Sequence, residues 1–275
     1  MRDKTDIECC EDMRGRVLIV AGSDSSGGAG IQADVKTVTA LGGFAATAIT
    51  ALTAQNTMGV HGFLDVDTAF VRKQIQVVLS DVGADIVKTG MLHNADVIGA
   101  VCAEIDNNAP DVPIVVDPVM VAKGGEALID DPGIRMILQE LLPRACLITP
   151  NIPEAETLLK RSITNVEEMK KAAEALTARG ANAVLIKGGH LLGDKLTDVL
   201  LDCDGFHFFE VERVQTRHTH GTGCTLASAI STGLSQGLTL PVAVGQAQEY
   251  VLTAIRSAPG LGAGHGPLNH AHTVI

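Results

Sequence analysis

From residue 17 onward, short apolar runs alternate with amphipathic stretches, and each run closes on glycine or a small polar residue. Runs at 17–21, 45–52, 86–87, 114–116, 147–148 and 184–186 read as strands buried on both faces, the pattern of a parallel sheet. Between them, residues 31–41, 69–80, 95–107, 132–142, 153–160 and 166–179 read as helices. Asn165 stands before the last of these, with Glu167 and Glu168 in its first turn, which predicts an N-cap with support from the helix dipole. Near 197–214 the rhythm changes. Two strand-like runs flank Asp202-Cys203-Asp204-Gly205 and predict an antiparallel hairpin at one sheet edge. The expected class is α/β: three α/β/α layers around a mostly parallel central sheet with an antiparallel edge hairpin.

Composition narrows the class further. The chain has 275 residues, 46% of them hydrophobic, enough for one large core, so residues 16–275 are expected to form a single domain. Residues 1–15 are polar and acidic, read as a flexible tail with no apolar segment of a secretory signal. A net charge of −11 without a local basic patch disfavours nucleic acid, and 3% aromatic residues with no Trp disfavour a base-stacking platform. The six cysteines show no Cys-x-x-Cys spacing and read as reduced thiols of a cytoplasmic protein. Residues 221–248 carry no charge, but they are rich in Gly, Ser, Thr and Gln and are divided by Pro241. Two buried helices are expected there, not a membrane span. His265, His270 and His272 lie in a glycine-rich segment read as a surface tail rather than a metal site.

One segment carries the chemistry. His220-Gly221-Thr222-Gly223-Cys224-Thr225 runs directly into the uncharged helical pattern. Glycines there let backbone N–H groups approach a ligand closely, and the positive end of the helix dipole favours an anion such as phosphate. Cys224 stands in that field, which is expected to lower its thiol pKa. An anion cradle with a proton acceptor inside it points to phosphoryl transfer to a small alcohol. In parallel sheets ligands bind beyond the carboxyl ends of the strands. Those ends carry Gly22-Ser23-Asp24, Gln55-Asn56, Lys88-Thr89-Gly90-Met91, Asp117-Pro118-Val119, Thr149-Pro150-Asn151 and Lys187-Gly188-Gly189. The glycine-rich turn from Ala21 to Asp34 is open, by itself, to a dinucleotide site or a ligand-free flexible turn. It fits neither the three-glycine dinucleotide fingerprint nor the Walker pattern cleanly.

Taken in order, Gly22-Ser23-Asp24-Ser25-Ser26-Gly27-Gly28-Ala29-Gly30, Thr53-Ala54-Gln55-Asn56, Lys88-Thr89-Gly90-Met91, Val116-Asp117-Pro118-Val119, Thr149-Pro150-Asn151-Ile152-Pro153-Glu154, Lys187-Gly188-Gly189-His190 and the 220–225 segment form a set. The chain resembles the hydroxymethylpyrimidine/phosphomethylpyrimidine kinases of the ribokinase-like superfamily, from about residue 16 to 270. The resemblance implies a ribokinase-like fold and ATP- and Mg²⁺-dependent phosphorylation of 4-amino-5-hydroxymethyl-2-methylpyrimidine, then of its monophosphate, for thiamine diphosphate synthesis. It implies Gly22, Ala29, Asp34, Gln55, Met91 and Val119 for the pyrimidine, and Cys224 as the base within the cradle of Gly221, Thr222 and Gly223. It further implies Lys187, Asn151 and Thr222 for the nucleotide, Asp117 and Glu154 for the metal through water, and a homodimer. Related pyridoxal-phosphorylating enzymes carry a second cysteine after the Asp117 strand. Ala122 stands there, which argues against efficient pyridoxal phosphorylation. Of two other classes, a dinucleotide-dependent oxidoreductase would want the three-glycine fingerprint and an acidic residue at a second strand end, and neither appears; a non-catalytic pyrimidine-binding protein would have no use for Cys224 in a phosphate cradle.

Overall fold

Alternate residues of the first strand face opposite layers, which places a helical layer on each side. The computed structural model describes residues 15–122 and 124–274; residues 1–14, with the expected tail, Cys9 and Cys10, lie outside these, as does Lys123. In β1 (Arg16–Asp24), Val17, Ile19 and Ala21 enter one core, and Leu18 and Val20 enter the other. The first core is closed by α1 (Gly30–Ala40), α7 (Thr222–Ser235) and α8 (Leu240–Arg256). The second lies under α2 (Thr68–Asp81), α3 (Ala95–Asn108), α4 (Asp131–Met136), α5 (Ile152–Leu159) and α6 (Val166–Thr177). All three layers of the expected α/β/α arrangement are present.

The described residues form one nine-stranded sheet in the order β3-β2-β1-β4-β5-β6-β7-β8-β9. Its remaining strands are β2 (Phe44–Asn56), β3 (Gly59–Asp65), β4 (Ile86–Thr89), β5 (Ile114–Val116), β6 (Ala145–Ile148), β7 (Val184–Ile186), β8 (Lys195–Asp202) and β9 (Gly205–Glu212). β2, β1, β4, β5, β6 and β7 run parallel, and β8–β9 is the expected antiparallel hairpin. The other edge departs from expectation: β2 continues to Asn56 and folds back antiparallel through β3, so both edges are hairpins. The helix expected over 132–142 also breaks up. α4 ends at Met136, a π turn spans Ile137–Leu141 and a 3₁₀ turn spans Leu142–Arg144. Pro143 has no N–H to continue the ladder there. Asn165 caps α6 as expected, accepting from Glu168 N at 3.0 Å.

His270 and His272 correct the surface-tail reading, while His265 is exposed as expected. His270 is buried, with its Nε2 at 3.0 Å from Thr225 Oγ1 in the first turn of α7. Tyr250 Oη donates to His270 O at 2.6 Å, and His272 Nε2 lies 3.1 Å from Tyr250 O. Gly266 O accepts from His220 N at 3.2 Å. The segment therefore straps α8 to the start of α7. Burial lowers the His270 pKa to about 4, so the ring stays neutral. Tyr250→Phe leaves the buried His270 carbonyl without its hydroxyl donor, and urea denaturation should show a loss of about 1–3 kcal/mol.

Candidate active site

The parallel strands end along one rim, and a cavity of about 610 Å³ opens beyond them. Gly22, Ala29, Gln55, Met91, Val119, Asp117, Asn151, Glu154, Lys187, Gly221, Thr222, Gly223 and Cys224 all border it. Asp34 does not. It lies fully buried in α1 against Lys88 and Ser228, which corrects its expected place in a pyrimidine pocket: its oxygens face inward donors rather than the cleft.

Two glycine loops form the middle of the cleft, and Asp24 at the end of β1 holds them. Its carboxylate accepts from Ser26 N at 2.9 Å, Gly28 N at 3.1 Å and Ala29 N at 2.8 Å, fixing the turn into α1. The same carboxylate faces His220 Nε2 at 2.8 Å, which joins the first loop to the second. Burial alone would raise the Asp24 pKa, but the bonds from His220 and Ser26 outweigh it and hold it below the ordinary value. No side chain fits between the loops. A Cβ on Gly28 would lie 2.5 Å from His220 Cδ2, and one on Gly221 would overlap Gly28 O. Gly221 caps α7 at φ 81°, a left-handed conformation suited to glycine.

Behind Gly221 the first turn of α7 presents free donors. The N–H groups of Gly223 and Cys224 have no acceptor among the described residues, and Thr222 N reaches only Thr219 O at 3.4 Å. Unpaired amides at this helix start are the arrangement from which the sequence predicts an anion cradle. The Cys224 thiol is a correction. Enclosure raises its pKa to about 12, although Lys88 and the Gly30 N–H act in the opposite direction. Loss of solvation outweighs the field at the helix start, so the sulfur of the ligand-free protein is a thiol.

A cluster of charges borders the cradle. Lys187 Nζ lies 2.9 Å from Asp117 Oδ1 and 3.9 Å from Glu154 Oε2. A Cβ on Gly223 would stand 3.2 Å from the same Nζ, so cradle and lysine face one region. Asn151 and Glu154 form a capping box on α5: Glu154 N donates to Asn151 Oδ1 at 2.9 Å and Asn151 N to Glu154 Oε2 at 2.7 Å. Burial raises the Glu154 pKa from 4.5 to about 7, against the pull of Lys187 and with the repulsion of Asp117. Asp117 Oδ2 and Glu154 Oε1 have no hydrogen-bond partner among the described residues. Two hard carboxylate oxygens beside an anion cradle fit a Mg²⁺ ion that keeps part of its water.

On the other side of the cradle, Ala51, Met91 and Leu128 pack with Val119 and Ala122 into a small apolar wall. Gln55 extends from β2 beside it; its Oε1 accepts from Thr53 Oγ1 at 3.2 Å, and its Nε2 is 3.4 Å from His220 Nε2. A flat, polar-edged ring fits between wall and amide. The far end, bordered by Val211, Val214, Val251, Leu252 and Ile255, is apolar and suits a second ring system. Sequence reasoning did not assign this far end, the pairing of His220 with Asp24, or Lys88. The signal for Lys88 was a charge inside an otherwise apolar buried strand.

A profile of the phosphomethylpyrimidine kinase family matches residues 24–269. The thiamine biosynthesis bifunctional protein of Geobacter sulfurreducens is 52% identical over 94% of this chain, which spans about half (52%) of that protein's length. The hydroxymethylpyrimidine/phosphomethylpyrimidine kinase of Bacillus subtilis is 46% identical, with 93% of this chain and 94% of that one covered. Among solved structures, the pyridoxal kinase of Staphylococcus aureus in complex with AMP-PCP superposes with a TM-score of 0.87 at 34% identity, covering 94% of each chain.

The raised Glu154 pKa has a sign that can be checked. A carboxyl group held above its unfolded value favours folding while protonated, and that contribution is lost as pH rises from 4.5 through about 7. Urea midpoints between those limits should therefore fall more steeply with pH in the wild type than in Glu154→Gln.

Proposed function

The chain belongs to the phosphomethylpyrimidine kinase family, and from that premise we propose that it is a ribokinase-like phosphotransferase of thiamine diphosphate synthesis. It transfers the γ-phosphoryl group of ATP to 4-amino-5-hydroxymethyl-2-methylpyrimidine, and then to the monophosphate. The observation that carries this reading is the cradle of α7, with Cys224 inside it, between the Gln55–Met91 wall and the Lys187–Asp117–Glu154 cluster. A similar structure holding AMP-PCP, an ATP analogue, supports the nucleotide. The continuous sheet supports one domain over residues 16–275, and the family's biosynthetic role supports a cytoplasmic setting. Among the described residues no helix is long and apolar enough to cross a membrane.

In this reading Gly22, Ala29, Gln55, Met91 and Val119 seat the pyrimidine. Gln55 reads the ring edge, and Met91 and Val119 hold its faces by dispersion. The N–H groups of Gly223 and Cys224, with Gly221 and Thr222 shaping the turn, receive the charge that spreads over the migrating group. Lys187, Asn151 and Thr222 face the nucleotide phosphates. Asp117 and Glu154 would hold Mg²⁺ through water, and the bound ion would neutralise phosphate charge. Cys224, once its own proton is lost, takes the proton of the acceptor hydroxymethyl group as a thiolate. A phosphate acceptor, largely ionised at neutral pH, has no such proton to lose.

An ADP-release assay with the alcohol, its monophosphate and pyridoxal tests the reading. Turnover of both pyrimidines is expected, with pyridoxal poor because Ala122 replaces a second thiol; pyridoxal as the best acceptor would reverse the assignment. Cys224→Ala should lower turnover of the alcohol by about 10²–10⁴-fold and that of the monophosphate much less. Equal losses would instead assign the sulfur to packing of the cradle.

The resemblance also implies a homodimer, and the open β3 edge supports it. Phe63 and Leu64 on that strand, with Met58 just before it, are exposed, a liability in an isolated sheet edge. Sedimentation equilibrium should give twice the chain mass, and Phe63→Lys/Leu64→Lys should shift it towards the monomer.

A further inference from the structure

Among the described residues Lys88 is the bulkiest side chain sealed from solvent, at 0% exposure, yet it forms part of the cleft floor. Its Nζ donates to both Asp34 oxygens at 2.9 Å, and Ser228 Oγ donates to Asp34 Oδ1 at 2.7 Å. Ser228 and Cys224 are four residues apart on α7 and share one face of it. The bonded series Lys88–Asp34–Ser228 thus ends one turn below the Cys224 sulfur. Glycine keeps the approach open, since a Cβ on Gly90 would lie 3.3 Å from Lys88 Nζ. A buried ion pair is a poor stability device, because well-packed apolar residues of similar volume often serve a fold as well or better. Its place under the cradle calls for another reason.

We infer that Lys88 is a positioning residue for the reaction proposed above: a fixed cation that makes an anionic sulfur attainable at Cys224, with Asp34 and Ser228 fixing where that charge stands. The inference rests on Cys224 being the base. The charged groups that face the sulfur are Lys88 from β4, Asp34 from α1, Asp117 beyond β5 and Lys187 beyond β7. The two carboxylates disfavour a thiolate, and Lys88 is the first of the influences that oppose them. Burial by itself would lower the Lys88 pKa, but Asp34 outweighs it and keeps the ammonium charged. In the step itself, the Cys224 thiol first gives its proton to water; the acceptor O–H proton then passes to the thiolate while the acceptor oxygen forms a bond to the γ-phosphorus. The bond from that phosphorus to the bridging oxygen breaks, ADP leaves with the electron pair, and the sulfur is again a thiol.

The test measures the sulfur apart from turnover. Cys224 alkylation by iodoacetamide is followed across a pH series by peptide mass spectrometry in the wild type, Lys88→Met and Lys88→Met/Asp34→Leu. The double variant leaves neither charge of the pair buried and covers the case in which the single one does not fold. In folded Lys88→Met the alkylation midpoint should move to higher pH, with the rate near pH 8 lower by about 10-fold or more; in the double variant, which also loses the repulsion of Asp34, it should move the same way by a smaller amount. Turnover of the alcohol should fall by a larger factor than turnover of the monophosphate. An alkylation profile that superimposes on the wild type, or moves to lower pH, overturns the role of Lys88 alone. Unchanged turnover of the alcohol by Cys224→Ala overturns the base reading and this inference with it, and the alkylation data do not depend on that result.

Discussion

The working end of this molecule depends on one carboxylate, Asp24, which is bonded to two loops at once. It ends β1, gathers the N–H groups of Gly28 and Ala29, and meets the ring of His220, a residue far along the chain. The glycines at the meeting point leave no room for a methyl group. Any substituent there would drive the loops apart and tilt the start of α7 away from the cleft. Position, more than reactivity, governs phosphoryl transfer, so a contact that sets the distance between backbone amides and acceptor matters beyond its own strength.

Around that contact, paired side chains gather at the cleft and beneath it. Asp24 stands with His220, Lys187 with Asp117 and Glu154, and Lys88 with Asp34. The two sets built on lysine offset part of the cost of taking ions out of water. Glu154 shows the limit of this compensation, because Lys187 does not outweigh its burial and the repulsion of Asp117. Phosphates entering beside Lys187 would meet a region already arranged for opposite charge.

The parallel strands were legible because burial on both faces leaves an unbroken apolar run, as in Ile114–Val116. β3 was not, since Val60, His61, Gly62, Phe63 and Leu64 neither alternate nor form such a run on an edge open to water. Most of the cleft residues could be named from strand ends, because topology sends all of those ends to one side. Asp34 could not be placed that way, as its partners Lys88 and Ser228 come from distant stretches of chain. For Cys224 the sequence displays the helix start that favours a thiolate. The enclosure that opposes it, with Asp34 and Asp117 near the sulfur, exists only once the chain has folded. His270 has the same history: nothing local to its glycine-rich neighbourhood announces Tyr250 or Thr225.

The strap formed by Gly266 and His270 has a consequence for synthesis on the ribosome. Both residues are translated after every strand of the sheet and after α7 itself, yet the turn that opens α7 bonds to them. A nascent chain can complete its sheet while these last contacts are still inside the exit tunnel. The cradle is then finished after the sheet, and competence for catalysis arrives later than the fold that carries it.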